Sequence, residues 1–409
     1  MPQLDIEFVR AQFPAFREPS LAGQAFFENA GGSYTCAQVI DRLIRYYRQR
    51  KVQPYAPYRA SILAGEEMDE ARARIAAMLN VGEDELHFGP STSQNTFVLA
   101  QAFREMLAAG EAIVVTDQDH EANSGVWRKL AAAGIEIREW HVDPQTGHLD
   151  PASLAGLIDD KVRLVCFPHC SNIVGELNPV AEIAAMAHAA GAVVCVDGVS
   201  TAPHGFPDVA ALGADIYMFS SYKTYGPHQG IMTITRSLAD RLPNQAHYFN
   251  AGSLTRKFTP AGPDHAQIAA AAGIADYVDA VFAHHFPAAG AAPAGRAAAV
   301  LELQRRHERA MMAPLLEYLR DRNDLRLIGP ASPDAKVGTI SLHHRRSGED
   351  LAAALAPKGV MAGGGDFYAV RLLESLGIDP AHGVLRASLV HYTSREEVSA
   401  LIRALDEIL

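Results

Sequence analysis

Between Ala112 and Ile234 the chain alternates short β-branched runs with Ala- and Leu-rich amphipathic stretches, and this alternation restricts the possible folds more than any other feature. AIVVTD, IEIREWHVD, VRLVCFP, AVVCVDG, DIYMFSS and GIMTITR read as strands, with EANSGVWRKLAAAG, DPASLAGLI and NPVAEIAAMAHAAG as helices between them. Strands separated by helical patterns are joined by crossovers, so a mostly parallel sheet flanked by helices is expected. Asp150 stands where the second of these helices wants an N-cap. Residues 284–299 are rich in Ala, Gly and Pro and read as a linker or a loop. Beyond them LELQRRHERAMMAPLLEYLRD reads as an amphipathic helix and TISLHH and VLRASLVHY as strands. SREEVSALIRALDEIL closes the chain as a helix opened by a Ser394/Glu397 capping box. The expected organisation is a segment 1–50 packed on the C-terminal part, a large α/β domain over 51–285 and a smaller α+β domain over 286–409.

Composition narrows the partners. A hydrophobic content of 48% with 20% charged residues is that of an ordinary soluble globule. The net charge of −11 argues against nucleic-acid and anionic-membrane surfaces, which require clustered Lys and Arg. Apolar runs such as AVVCV fall far short of a membrane span, and MPQLDIEFVRAQF lacks the basic-then-apolar order of a signal peptide, so a cytoplasmic protein is expected. Cys36, Cys166, Cys170 and Cys195 form no C-x-x-C pair, and the histidine doublets lack partner ligands at metal spacing, so neither a disulfide framework nor a metal site is expected.

Open α/β sheets bind ligands beyond the carboxyl ends of their strands, and four positions there carry chemistry. Asp197 ends AVVCVD; a turn or cap residue is the plain reading, a buried carboxylate the functional one. Lys223 follows DIYMFSS, where a desolvated amine has a depressed pKa and can form a Schiff base; a surface lysine opening a turn is the alternative. In GPSTSQNTFVLA, Ser91, Thr92 and Ser93 open a helix, which makes either a simple N-cap or a phosphate site. His120 follows AIVVTDQD as a loop residue or as a ring that stacks. A lysine for an aldehyde, a phosphate cradle, a carboxylate for a pyridinium nitrogen and a covering ring describe one cofactor, pyridoxal 5′-phosphate (PLP). No G-x-G-x-x-G or G-x-x-x-x-G-K-[ST] motif supports a nucleotide instead. Arg386 lies inside the apolar run VLRASL and must be paired, with a bidentate carboxylate or with a structural salt-bridge partner.

VDGVSTAPHGFPDVAALGADIYMFSSYKTYGPHQGIM, flanked by FFENAGG and RASLVHYTSREEV, resembles the class V aminotransferase group of fold-type I enzymes, in its cysteine-desulfurase-like branch. The resemblance implies a seven-stranded, mostly parallel sheet and a homodimer acting on a small amino acid. It implies that Lys223 holds the cofactor aldehyde, Asp197 its ring nitrogen, His120 its ring face, and Thr92, Ser93 and Ser220 its phosphate, with Ser200 and Tyr222 also on the cofactor. Asn172 would lie near the cofactor hydroxyl and the substrate carboxylate, Arg386 would grip that carboxylate, and Asn29 and Tyr368 would complete the substrate side. Desulfurases carry a persulfide-forming cysteine on a C-terminal loop; here GVMAGGGDFYAVRLL places Tyr368 about there, and no cysteine follows Cys195. Tyr222 replaces their usual histidine before the lysine and Ser200 their usual glutamine after the aspartate. The expected reaction is a C–S or β-elimination lyase step, with aminotransferase, epimerase or a PLP-binding protein without turnover as alternatives. Asp366 and His228 are further candidates for reaction choice.

Overall fold

Seven strands form the central sheet in the order Leu86–Gly89, Gly230–Ile234, Ile216–Ser220, Val193–Asp197, Val162–Pro168, Ala112–Thr116, Glu136–Trp140. The computed structural model describes residues 2–287 and 290–409. All pairings from Ile216–Ser220 to Glu136–Trp140 are parallel, while Gly230–Ile234 runs antiparallel to both its neighbours. Every residue of Ile216–Ser220 and Gly230–Ile234 is buried, as continuous apolar runs covered on both faces require. Leu86–Gly89 was not among the strands read from the sequence: four residues are too few for a period to show.

Two expected helices are cut short. DPASLAGLI is helical only over Pro151–Leu154, although Asp150 does cap it, accepting from the Ala152 N–H at 2.9 Å. EANSGVWRKLAAAG breaks into a 3-10 turn at Glu121–Asn123, one α turn at Gly125–Arg128 and a second 3-10 turn at Lys129–Ala133. Tertiary bonds override its helical propensity. Asn123 Nδ2 donates to Asp119 at 2.7 Å, Trp127 Nε1 donates to Asn123 Oδ1 at 3.1 Å, and the Glu121 N–H donates to the Tyr368 carbonyl at 2.9 Å.

Helices Ala37–Gln49, Arg59–Leu79 and His265–His285 pack together over one side. Gly273 permits the closest approach, since a Cβ there would stand 2.6 Å from the Val39 nitrogen. Arg42 joins all three, at 2.8 Å from Glu70 and 2.6 Å from Asp276. His265–His285 is long and apolar enough to cross a membrane, contrary to the expectation that no run approaches that length; its apolar surface is mostly buried in this helix packing.

The C-terminal part contains an antiparallel sheet in the order Gly363–Gly365, Val384–Ser388, Thr339–His344, Leu325–Ile328. VLRASLVHY is strand only through Ser388. Helix Arg395–Ile408 shows both bonds of the expected capping box, at 2.8 and 3.2 Å. Of the segment 1–50, the early residues touch this part: Ala25–Phe26 pairs with Val360–Met361, and Arg10 lies 2.8 Å from Glu397. Helix Ala37–Gln49 lies instead against His265–His285. Within 284–299 the chain leaves helix at His285 and re-enters it at Pro293; residues 288–289 of the expected linker lie outside the described residues.

Candidate active site

Strand register brings the site together. Pro168 pairs with Asp197, Asp197 with Met218, and Ser220 with Gly230, which also pairs with Gly89. The turns that follow these strand ends therefore open on one rim of the sheet, around a cavity of about 280 Å³. Ser91, Thr92, Ser93, His120, Asn172, Asp197, Ser200, Ser220, Tyr222 and Lys223 line it, as do His228 and the unpredicted Asp119 and Cys170.

Lys223 ends the 3-10 turn Ser221–Lys223 directly after the strand Ile216–Ser220. The turn is clamped: Ser221 Oγ donates to the Pro227 carbonyl at 2.5 Å, the Gly226 N–H to Ser221 at 2.8 Å, and the Ser33 N–H to Tyr222 at 3.1 Å. Lys223 is buried, and burial, with help from the Arg386 charge, lowers its ammonium to about 8. The surface reading of this lysine does not hold. Tyr222 stacks on His228 with ring centroids 4.8 Å apart.

Opposite the lysine turn, helix Thr92–Met106 points its N-terminus at the cavity, with Ser91 as N-cap accepting from the Gln94 N–H. The first N–H groups of a helix have no intrahelical acceptor, and with the helix dipole they favour an anion. Thr92 and Ser220 hydroxyls lie 2.8 Å apart. Gly230 makes that approach possible, because a Cβ there would stand 2.3 Å from the Ser91 carbonyl carbon and 2.6 Å from the Thr92 nitrogen.

Two carboxylates share the floor. Asp197 accepts from the Val199 N–H at 2.8 Å, and burial raises it to about 6. Burial and the neighbouring Asp197 charge push Asp119 well above the carboxylate range, and its Oδ1 has no partner among the described residues. Burial thus favours the neutral form of both carboxyls, and at Asp119 the Asp197 charge adds to it. His120 accepts from the Ala122 N–H through Nδ1 at 3.1 Å, and burial, then Lys223 and Arg386, lower it to about 4. Its imidazole is neutral at pH 7.

The four substrate-side candidates are placed differently. Asn172 Nδ2 donates to the Phe367 carbonyl at 2.9 Å, while its Oδ1 has no partner among the described residues. Arg386 is buried and ion-paired to Glu28 at 2.8 Å, with its guanidinium carbon 3.7 Å from the Phe367 ring centroid. The salt-bridge reading of Arg386 is thus realised through Glu28. Tyr368 is exposed on the rim, its ring centroid 5.5 Å from that of His120, and both Phe367 and Tyr368 have positive φ, at 51° and 58°. Asp366 caps that turn, accepting from the Tyr368 N–H at 2.8 Å. Asn29 does not join the cavity wall: its amide donates to Ser388 at 2.7 Å and its oxygen accepts from the Tyr392 hydroxyl, so it is committed to the scaffold. Sequence reasoning missed Asp119 and Glu28; each adjoins a motif residue, Asp119 beside His120 and Glu28 within FFENAGG.

The family model for aminotransferase class-V matches residues 25–271 and 286–401. The chain belongs to the class V aminotransferase family. It is 34% identical to the aminotransferase-like protein FGM3 of Gibberella zeae, covering 99% of this chain and 98% of that protein. It is 32% identical to a cysteine desulfurase of Serratia proteamaculans, with 98% of each covered. Among solved structures, a cysteine desulfurase of Thermococcus onnurineus superposes with a TM-score of 0.85 at 24% identity over 100% of this chain and 98% of that one. The fold is that of fold-type I PLP enzymes. Class V aminotransferases and cysteine desulfurases depend on PLP, and this chain is a PLP-dependent enzyme. Its residues fit that cofactor: a buried amine of lowered pKa, the start of helix Thr92–Met106 and the Asp197 carboxylate line one cavity, and Gly230 lets the helix start pack against the strand end.

Proposed function

We propose that this class V enzyme is a lyase that cleaves a C–S bond or eliminates at the β-carbon of an amino acid, without a persulfide on a cysteine of its own. PLP, when bound, supplies an electron sink for charge that develops at the amino acid's α-carbon. Thr92, Ser93 and Ser220 would hold its phosphate, Asp197 would pair with its ring nitrogen, and the neutral imidazole of His120 would lie beside its ring. Lys223 takes and returns the α-proton at Nζ. With a pKa near 8 roughly a tenth of that amine is neutral at pH 7, against about one in three thousand for an ordinary lysine. Arg386 would hold the substrate carboxylate and so orient the amino acid in the site. His120 and the backbone of Phe367 and Tyr368 close the site from water. Fold-type I sites are completed across a dimer, and a homodimer belongs to this proposal.

The observation that carries the lyase reading is the position of sulfur nucleophiles. All four cysteines are buried; Cys170 alone of them lines the cavity, where burial pushes its thiol up and so keeps it protonated, and the loop that reaches over His120 presents the exposed Tyr368 in place of a cysteine. Purified holoenzyme is to be mixed with L-cysteine, cysteine sulfinate and larger cysteine S-conjugates, with products identified by mass spectrometry. Pyruvate with ammonia supports the proposal. Alanine with a sulfur species that is never carried as a persulfide on the protein is the C–S cleavage outcome and supports it too; a persulfide on a cysteine of this chain, a keto acid formed without elimination, or racemisation alone overturns it.

A further inference from the structure

Arg386 and Glu28 form an unfinished pair. Arg386 Nη2 meets Glu28 Oε1 at 2.8 Å, yet Arg386 Nε and Glu28 Oε2 have no partner among the described residues. A guanidinium offers two parallel donors to a carboxylate, and this contact uses one. The remaining bond, from Nη1 to the Asn172 carbonyl, is long at 3.3 Å.

The two partners differ in freedom. The Arg386 side chain is 3% exposed and its guanidinium lies on the Phe367 ring, whereas the Glu28 side chain is 30% exposed and has a way out to solvent. The Glu28 backbone is fixed by a bridge to Ser388 and by the Gly31 and Gly32 N–H groups, so only its side chain need move. Two glycines shape its seat: a Cβ on Gly31 would stand 2.5 Å from Oε1, and one on Gly363 would stand 2.4 Å from Oε2. Gly363 is also the register partner of Arg386.

We propose that Glu28 is an internal occupant of the carboxylate seat on Arg386, held there in the free enzyme and displaced by the α-carboxylate of the incoming amino acid. The exchange rests on the amino-acid reading above only for the identity of the displacing group. It makes Glu28 a specificity-determining residue. A simple carboxylate must compete with Glu28 unaided, while an amino acid is also anchored through its amine at the Lys223 end, so the seat selects ligands that carry both groups.

The test is calorimetric titration of propionate, which has no amine and undergoes no reaction, into holoenzyme. Glu28→Gln keeps the shape and removes the competing charge, and it should bind propionate on the order of tenfold more tightly than wild type. Adding Arg386→Gln to that variant should abolish the gain. Should Glu28→Gln not fold, Gly363→Ala serves, since its methyl presses on Oε2 and the same gain is expected. Equal affinity in wild type and variant overturns the proposal, and so does weaker binding, which would make Glu28 a support for Arg386 rather than a competitor. A gain in propionate affinity with no turnover of any amino acid would leave the exchange standing and remove the lyase reading; turnover with unchanged propionate affinity would do the reverse.

Discussion

Lys223 should cost the apoprotein stability, and the size of that cost can be worked from its surroundings. In the unfolded chain its pKa is 10.5, and in the fold it is about 8, chiefly through burial and secondarily through Arg386. Between those values the unfolded state binds more protons, so stability rises with pH through the window. Integrated, the penalty is about 3 kcal/mol at pH 7 and about 1.4 kcal/mol at pH 9.5. Lys223→Met keeps the length and removes the charge, so the apoprotein variant should be the more stable protein at neutral pH. At roughly 2 cal/mol/K per residue over 409 residues, the gain corresponds to about 4 °C in the melting midpoint, and more if the two parts melt separately. Differential scanning calorimetry of both apoproteins at pH 7 and pH 9.5 reads it. The expected result is a higher midpoint for the variant at pH 7 and a gap reduced by about half at pH 9.5. A variant no more stable than wild type at pH 7, or a gap independent of pH, refutes the claim that this amine is held against its ordinary pKa.

Gly230→Ala places a methyl 2.3 Å from the Ser91 carbonyl carbon, so the helix start must retreat by about 1 Å; overpacking of this kind costs about 1–3 kcal/mol. Its PLP dissociation constant, followed by cofactor fluorescence, should rise together with a lower melting midpoint, and wild-type values for both count against the cradle. Thr92→Val strands the Ser220 hydroxyl, at about 1–2 kcal/mol, and PLP affinity in equilibrium dialysis should fall on the order of tenfold. His120 is lowered from 6.5 to about 4, so the unfolded chain binds the extra proton between those values and stability drops as pH falls through them. His120→Phe keeps a ring and removes that titration; its denaturation midpoint should lose less than wild type's between pH 6.5 and pH 4, and parallel curves exclude the assignment.

How much of this site is legible in the sequence follows from where each residue gets its meaning. Lys223, Asp197 and His120 are readable because each ends or shortly follows an apolar strand, and a polar group just beyond a strand end in an open sheet is already near the ligand. Thr92 and Ser93 are readable because a Gly-Pro turn and hydroxyls mark a helix start. The broken helix after His120 was not, because its ends are set by Asp119 and by the Tyr368 carbonyl, the latter far away in the chain. Asn29 was assigned to the substrate by its place in a motif, but its bonds run to Ser388 and Tyr392, which no local pattern announces. Glu28 is the instructive case. It follows Ala25, Phe26 and Phe27 much as Asp197 follows its valines, yet the strand before it is only two residues long and pairs with Val360–Met361, so nothing in the sequence marked it as a strand end. Its function depends on an arginine 358 residues away, and a carboxylate that shares an arginine with a ligand is visible only once both are placed in space. The same holds for Asp119, whose carboxyl is pushed up by burial and then by the charge of Asp197, which lies far away in the sequence. Groups whose chemistry is set by their own strand can be read from sequence, and groups whose chemistry is set by a distant charge cannot.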